Sequence, residues 1–162
     1  MKRVIIFVTV LETPHTLVGA AIASKIPNPY IALPLALISH LVLEKVPHWN
    51  PHLNTEKSKF GKVTPRSFKI IVIDASIALI SGTLIASQKL PNYSSAAVVM
   101  AACFFSVLPD LVEAPYFFLN WDNKYTQKWI AFQKSIQSDA GVKLGLATQV
   151  VFSLAALYWI YS

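Results

Sequence analysis

Five long apolar segments, at residues 4–26, 30–46, 68–87, 94–118 and 142–161, leave this chain few ways to fold. Each falls within the roughly 17 to 25 residues that a helix needs to cross a bilayer. A backbone surrounded by hydrocarbon must satisfy its own N–H and C=O groups, and a helix does so within one segment. The pattern therefore predicts an all-α, integral membrane helical bundle of about five transmembrane helices. The segments take up most of the length and no Gly- and Ser-rich linker divides them, so residues 1–162 read as a single transmembrane helical domain. A composition of 54% hydrophobic and 14% charged residues fits a membrane protein better than a soluble domain.

The first segment is interrupted. Thr13 followed by Pro14 reads as an N-cap with proline at the first helical position, which predicts that the helix breaks or restarts just before His15. Backbone N–H groups freed inside a membrane are tolerable only against protein, water or an anion, and such an end would suit a phosphate. Pro34, Pro109 and Pro115 are expected to kink the second and fourth segments. Residues 27–29 form a tight turn and residues 48–67 a longer polar loop. Residues 123–138 alternate Trp129, Ile130, Phe132 and Ile136 with Lys124, Lys128 and Lys134, the pattern of one interfacial amphipathic helix.

A net charge of +6 raises the question of nucleic acid, but the basic residues follow a topological pattern instead. With the N-terminus in the cytoplasm, Lys2, Arg3, Lys45, Lys57, Lys59, Lys62, Arg66, Lys69, Lys124, Lys128, Lys134 and Lys143 lie inside, and only Lys25 and Lys89 outside. The positive-inside rule accounts for that bias, so no nucleic-acid partner is needed, and a multi-pass protein of a bacterial-type inner (plasma) membrane is expected. Tyr30, Tyr93, Tyr158 and Trp159 at the outer ends, and Trp49, Tyr116 and Trp121 near the inner ends, sit where amphipathic rings anchor. A cleaved signal peptide at Lys2, Arg3 and residues 4–11 is a competing reading, though that apolar run is short for one. The single Cys103 provides neither an intramolecular disulfide nor a cysteine-based metal site.

Within the apolar segments lie Glu12, His15, His40, Glu44, Asp74, Asp110 and Glu113. A carboxylate at the centre of a membrane helix costs at least about 2.5 kcal/mol, so such groups normally face the bundle interior and serve a function. At about 1.5 Å per residue all seven fall within roughly 3 to 17 Å of the cytoplasmic boundary. His40 and Glu44 are spaced i,i+4, and Asp110 and Glu113 i,i+3, so each pair projects from one helix face. Singly, each has an ordinary reading, such as an interhelical hydrogen bond or snorkelling to the interface. Together, unpaired acids at one depth would repel one another, and no intramembrane Lys or Arg neutralises them, so a bound cation is expected. Imidazole with carboxylates suits Zn²⁺ or, with more oxygen ligands, Mn²⁺, Fe²⁺ or Mg²⁺. His48, beyond Pro47, joins only if the chain bends, and His52 reads as loop.

The strings Thr13-Pro-His15-Thr-Leu-Val-Gly19-Ala-Ala and Ser39-His40-Leu-Val-Leu-Glu44-Lys-Val-Pro47-His48-Trp49, then Asp74, then Leu108-Pro109-Asp110, resemble a group of small bacterial membrane proteins. These are described as membrane-bound metal-dependent hydrolases, with a loose likeness to zinc-dependent phospholipase C. The resemblance implies a metal site of His15, His40, Glu44, His48, Asp74 and Asp110, with Glu44 where such proteins often carry Asp. It also shows a departure. Where the group tends to have Phe-His-x-x-Ile-His, this chain has Phe132-Gln133 and Ile136-Gln137, and glutamine is a poor zinc ligand.

The leading expectation is a membrane-embedded metal-dependent hydrolase acting on a lipid phosphoester at the cytoplasmic leaflet, with Glu44 as metal ligand or general base. Membrane lipids are then its partners. A cation or proton carrier built on the same groups is the alternative, although residues 31–35, 78–84 and 96–100 offer almost no ionisable group for an outward path. A non-catalytic metal-binding or scaffold relative is the third reading, supported by Gln133 and Gln137.

Overall fold

The computed structural model describes residues 12–162 and is all-helical, with no strand among the described residues. Its helices are α1 (Thr13–Lys25), α2 (Pro29–Leu43), α3 (Leu53–Phe60), α4 (Pro65–Ser87), α5 (Tyr93–Leu119), α6 (Lys124–Ile136) and α7 (Val142–Tyr161). Lys2, Arg3, the signal-peptide reading and the first part of segment 4–26 lie outside the described residues.

Three of these helices, α4, α5 and α7, are long and apolar enough to cross a membrane, rather than the five expected. The physical reason lies in the boundaries of α1 and α2. Asn28 accepts a hydrogen bond from the Tyr30 N–H and starts α2 at Pro29, and the chain leaves the helix after Leu43 ahead of Pro47. Its 15 residues reach about 22 Å, short of a hydrocarbon core of about 30 Å. The described helix α1 is shorter still, at 13 residues. Helices α2 and α5 nevertheless run through Pro34, Pro109 and Pro115.

Helix α1 is the axis of the bundle and touches α2, α4, α5 and α7. Ten of its 13 residues are buried, which explains why it shows no amphipathic stripe. Packing around it relies on small side chains, with Ala20, Ala21, Ala32, Ala36 and Ala102 in the core. This is how membrane helices approach closely when no hydrophobic effect drives them together. Gly19 marks the tightest crossing: a Cβ there would lie 2.7 Å from both the Ala102 carbonyl oxygen and Ser106 Oγ. Leu79, Ile80 and Leu84 on α4, and Val151 and Leu154 on α7, are exposed, as expected of lipid-facing residues.

The polar loop expected at residues 48–67 contains a helix, α3, with Glu56 in its first turn and Gly61 in the left-handed C-terminal position. Glu56 ties α3 to the start of α4. Its carboxylate accepts hydrogen bonds from the Thr64 N–H at 2.8 Å, Thr64 Oγ1 at 3.0 Å and Ser67 Oγ at 2.7 Å. These bonds and the Arg66 charge outweigh the effect of its partial burial and hold its carboxyl below the ordinary value of 4.5. The amphipathic helix expected at residues 123–138 is α6, capped by Asn123, with Ile130 and Gln133 facing inward.

Candidate metal centre

The chain order alternates helix direction, so the N-termini of α1, α4 and α7 gather with the C-termini of α2 and α5 at one end of the bundle. That end collects the polar groups. His15 lies in the first turn of α1, His40 in the last turn of α2, and Glu44 at the C-cap of α2, its N–H still bonded to the His40 carbonyl at 3.0 Å. All three side chains are buried, and one ligand atom from each lies within 4.8 Å of the others. This group could hold a metal ion.

Hydrogen bonding prepares His40 for that role. Its Nδ1 lies 2.8 Å from the Ser106 carbonyl oxygen, which can only accept, so Nδ1 carries the proton and Nε2 is left to face the site. The residue is 0% exposed, and Nε2 has no hydrogen-bond partner among the described residues. The His15 ring stacks on it with centroids 4.2 Å apart, and His15 Nε2 is 3.5 Å from Glu44 Oε1. A buried, unpartnered imidazole nitrogen beside a second imidazole and a carboxylate fits the donor set of a divalent cation.

The remaining expected ligands surround this trio in different ways. His48 leaves the helical path after Pro47, and its Nε2 comes within 3.6 Å of Glu44 Oε1. Its Nδ1 faces the Val46 carbonyl oxygen at 2.8 Å, which again leaves Nε2 directed to the site. The segment is clamped by hydrogen bonds from the His48 N–H to the Ser138 carbonyl oxygen and from Gln149 Nε2 to that of Trp49. Gly145 allows this approach, since a Cβ there would lie 2.3 Å from the Trp49 nitrogen. Asp110 Oδ1 is 3.5 Å from His40 Nε2 and accepts a hydrogen bond from Gln133 Nε2 at 2.9 Å.

Asp74 is placed apart from the trio. It is 0% exposed, its Oδ1 accepts from Thr13 Oγ1 at 2.7 Å, and its Oδ2 accepts from the Glu12 N–H. Helix α1 has no side-chain cap of its own, and this carboxylate from α4 serves its N-terminus instead. The helix starts just before His15 as expected, but Glu12 rather than Thr13 is its N-cap, because the Thr13 hydroxyl bonds to Asp74, whose carboxylate serves as the anion.

Beside the trio opens a cavity of about 350 Å³. Its lining includes Glu12, Glu44, Asp110, Glu113, Gln133 and Gln137, together with apolar residues, Ile71 and Ala75 of α4 and Leu111, Ala114 and Phe118 of α5. His52, Leu53 and Asn54, at the start of α3, close part of the rim. Sequence reading missed α3, His52 as a lining residue, and the Ser106 carbonyl that orients His40. The helix-ending Gly61 after Glu56 and two lysines was a usable signal for α3, but a backbone carbonyl leaves no mark in a sequence. Comparison with models of protein families, with curated proteins and with solved structures finds no match to this chain.

Proposed function

We propose that this protein is a metal-dependent hydrolase of a lipid-borne phosphoester, working at the cytoplasmic leaflet of a bacterial-type inner membrane. The observation that carries the reading is the buried His15, His40 and Glu44 group, whose Glu44 also lines a 350 Å³ cavity of acidic and apolar residues. Pockets of this size suit organic ligands rather than bare ions. The likeness to membrane-bound metal-dependent hydrolases supports it, as does the bias of lysine and arginine toward this end of the bundle. The five-span topology, with the N-terminus inside, belongs to the same proposal and counts α1 together with the residues before it.

A divalent cation, zinc by donor type, would be held by His15, His40 and Glu44, with His48 and Asp110 beside them, and supplies the charge that polarises a phosphoryl oxygen and acidifies water. The rest of the work falls to the chain. Glu44 lines the cavity while also contacting both His15 and His48, so it is placed to accept a proton from attacking water. Asp110, held by Gln133, stands 3.5 Å from His40 Nε2, where a carboxylate and a bare imidazole nitrogen could share one cation. The apolar lining residues keep the acyl part of the substrate against α4 and α5.

Gln133 and Gln137 favour a second reading, a relative that keeps the metal without turnover, because α6 brings both amides to the site where the resembling group has histidines. The test is elemental mass spectrometry of the detergent-purified protein and of His40→Ala, followed by phosphate-release assays on lipid phosphoesters. One metal per chain, lost in His40→Ala, with turnover, supports the hydrolase. Metal without turnover identifies the non-catalytic relative, and no metal after reconstitution with Zn²⁺ and Mn²⁺ refutes both.

A further inference from the structure

Three buried acceptor atoms on residues that line the cavity have no hydrogen-bond partner among the described residues: Glu12 Oε2, Glu113 Oε1 and Gln133 Oε1. Gln133 is only 6% exposed, and its orientation is fixed. Its Nε2 donates to the Asp110 carboxylate, which can only accept, so the amide oxygen must be the atom left over. An unpaired buried acceptor costs about 1 to 3 kcal/mol, and several around one cavity call for a ligand with several N–H or O–H donors.

Charge narrows the class. Glu12, Glu44, Asp110 and Glu113 all line the cavity, with Lys134 the basic residue at its edge. A donor that is also cationic therefore fits better than a hydroxyl. Size and spacing argue for an organic cation over a second metal. Among the described residues, the set of His, Cys, Asp or Glu side chains close enough to hold an ion is His15, His40 and Glu44, and Glu113 is not part of it. The apolar lining adds the last element, because Leu111 and Phe118 line the cavity while being 45% and 37% exposed on the spanning helix α5. Apolar residues of both spanning helices, Ile71 and Ala75 of α4 with Leu111 and Phe118 of α5, thus line the cavity beside the ionisable ones.

We infer that the cavity binds an amphiphile carrying a primary ammonium, with the ammonium on Glu113 and Gln133 and the apolar chain leaving between α4 and α5. This rests on the proposed hydrolase only for what happens to the ligand, since it names the substrate class of the same site. Asp110 Oδ1 touches both Gln133 and His40, so the ammonium acceptors and the metal group are neighbours around one oxygen. A headgroup in which a short carbon link joins amine and phosphate would place its two charges on such neighbouring groups.

The test is the affinity of the full-length protein in detergent, zinc-loaded, for lysophosphatidylethanolamine, its mono-, di- and trimethylated amines, and lysophosphatidylglycerol, all with one acyl chain. The primary amine is expected to bind about tenfold or more tightly than the trimethylated and glycerol lipids, the scale of one charge-assisted hydrogen bond, with a stepwise fall along the methyl series. Glu113→Gln should erase the preference and keep the metal, while His40→Ala should keep the preference and lose the metal. Equal affinity across the series, or a second equivalent of metal that displaces the lipid, overturns the inference. The methyl series needs no variant, so a misfolded Glu113→Gln would not blunt the test. Amine preference without hydrolysis sinks the hydrolase reading alone, and hydrolysis without amine preference sinks this one alone.

Discussion

Replacing Asp74 separates two roles that its sequence position left open, metal ligand and helix cap. The side chain is fully buried and holds two donors at the start of α1, Thr13 Oγ1 and the Glu12 N–H. Asp74→Ala leaves both donors without this acceptor in a buried place, and removes a negative charge from the positive end of a helix dipole. Hydrogen bonds to a charged acceptor are worth about 1.5 to 3 kcal/mol each, and breaking buried charged contacts costs about 3 to 5 kcal/mol in total. Relief of repulsion between Asp74 and nearby Glu12 works the other way, so about 3 kcal/mol is the expected loss. The isosteric Asp74→Asn keeps one acceptor oxygen and should lose roughly half as much. Thermal unfolding in detergent, followed by circular dichroism, reads the stability, and elemental mass spectrometry at saturating Zn²⁺ reads the metal. A lower Tm in the order wild type, Asn, Ala, with the metal retained in Asp74→Asn, is the expected result. Unchanged Tm with loss of metal in Asp74→Asn would refute the capping argument and return Asp74 to the ligand set.

Three other perturbations probe different parts of the argument. Gly19→Ala puts a methyl 2.7 Å from the backbone oxygen of Ala102, which cannot rotate away, so overpacking of about 1 to 3 kcal/mol is expected by chemical denaturation. Because Ser106 on the same face of α5 holds His40, that variant should also bind zinc more weakly in a competition titration with a chelator. His52→Ala should leave metal content unchanged, whereas His15→Ala should abolish it; equal effects would contradict the assignment of the trio. The Glu56 carboxyl is lowered in the folded protein, so its contribution is present above pH 4.5 and disappears as pH falls through the lower folded value. Glu56→Gln should therefore flatten the acid dependence of protease nicking between α3 and α4, and an unchanged acid profile would show that the contacts of Glu56 do not hold that junction.

What the sequence made legible was whatever depends on spacing along one segment. The last helix was expected at residues 142–161 and runs Val142–Tyr161, because an uninterrupted apolar run of that length has one low-energy form in lipid. His40 and Glu44 were paired by their i,i+4 spacing, and they do share a face although Glu44 is only the cap of α2. Depth worked for the same reason: helices of known rise and alternating direction bring His15, Glu44 and Asp110 to the same end of the bundle. Partners that come from other elements were not legible. Nothing local to Asp74 tells that Thr13 and Glu12 will meet it rather than a metal, and nothing in the run Ser106-Val-Leu-Pro109 tells that the Ser106 carbonyl will receive a histidine proton. Gln133 and Gln137 stood out in the sequence only as missing imidazoles, whereas their placement gives them hydrogen-bonding roles toward Asp110 and His48.

The mismatch in helix length has a functional consequence. A spanning helix at the centre of the bundle would fill the end where α1 starts and α2 stops, and there would be no recess for polar groups. Because α1 begins at Thr13 and α2 ends at Leu43, their ends form the floor of the site, where His15, His40 and Glu44 meet. Exposed to lipid, such ends would carry unsatisfied backbone groups at a cost of several kcal/mol each. Here α1 is enclosed by α2, α4, α5 and α7, and Asp74 satisfies its first donors, so the short helix is tolerated. The start of α3 and the inward face of α6 then contribute to the lining of the recess, together with apolar residues of α4 and α5. The buried group that could hold a cation thus lies where two short helices end, one starting and one stopping.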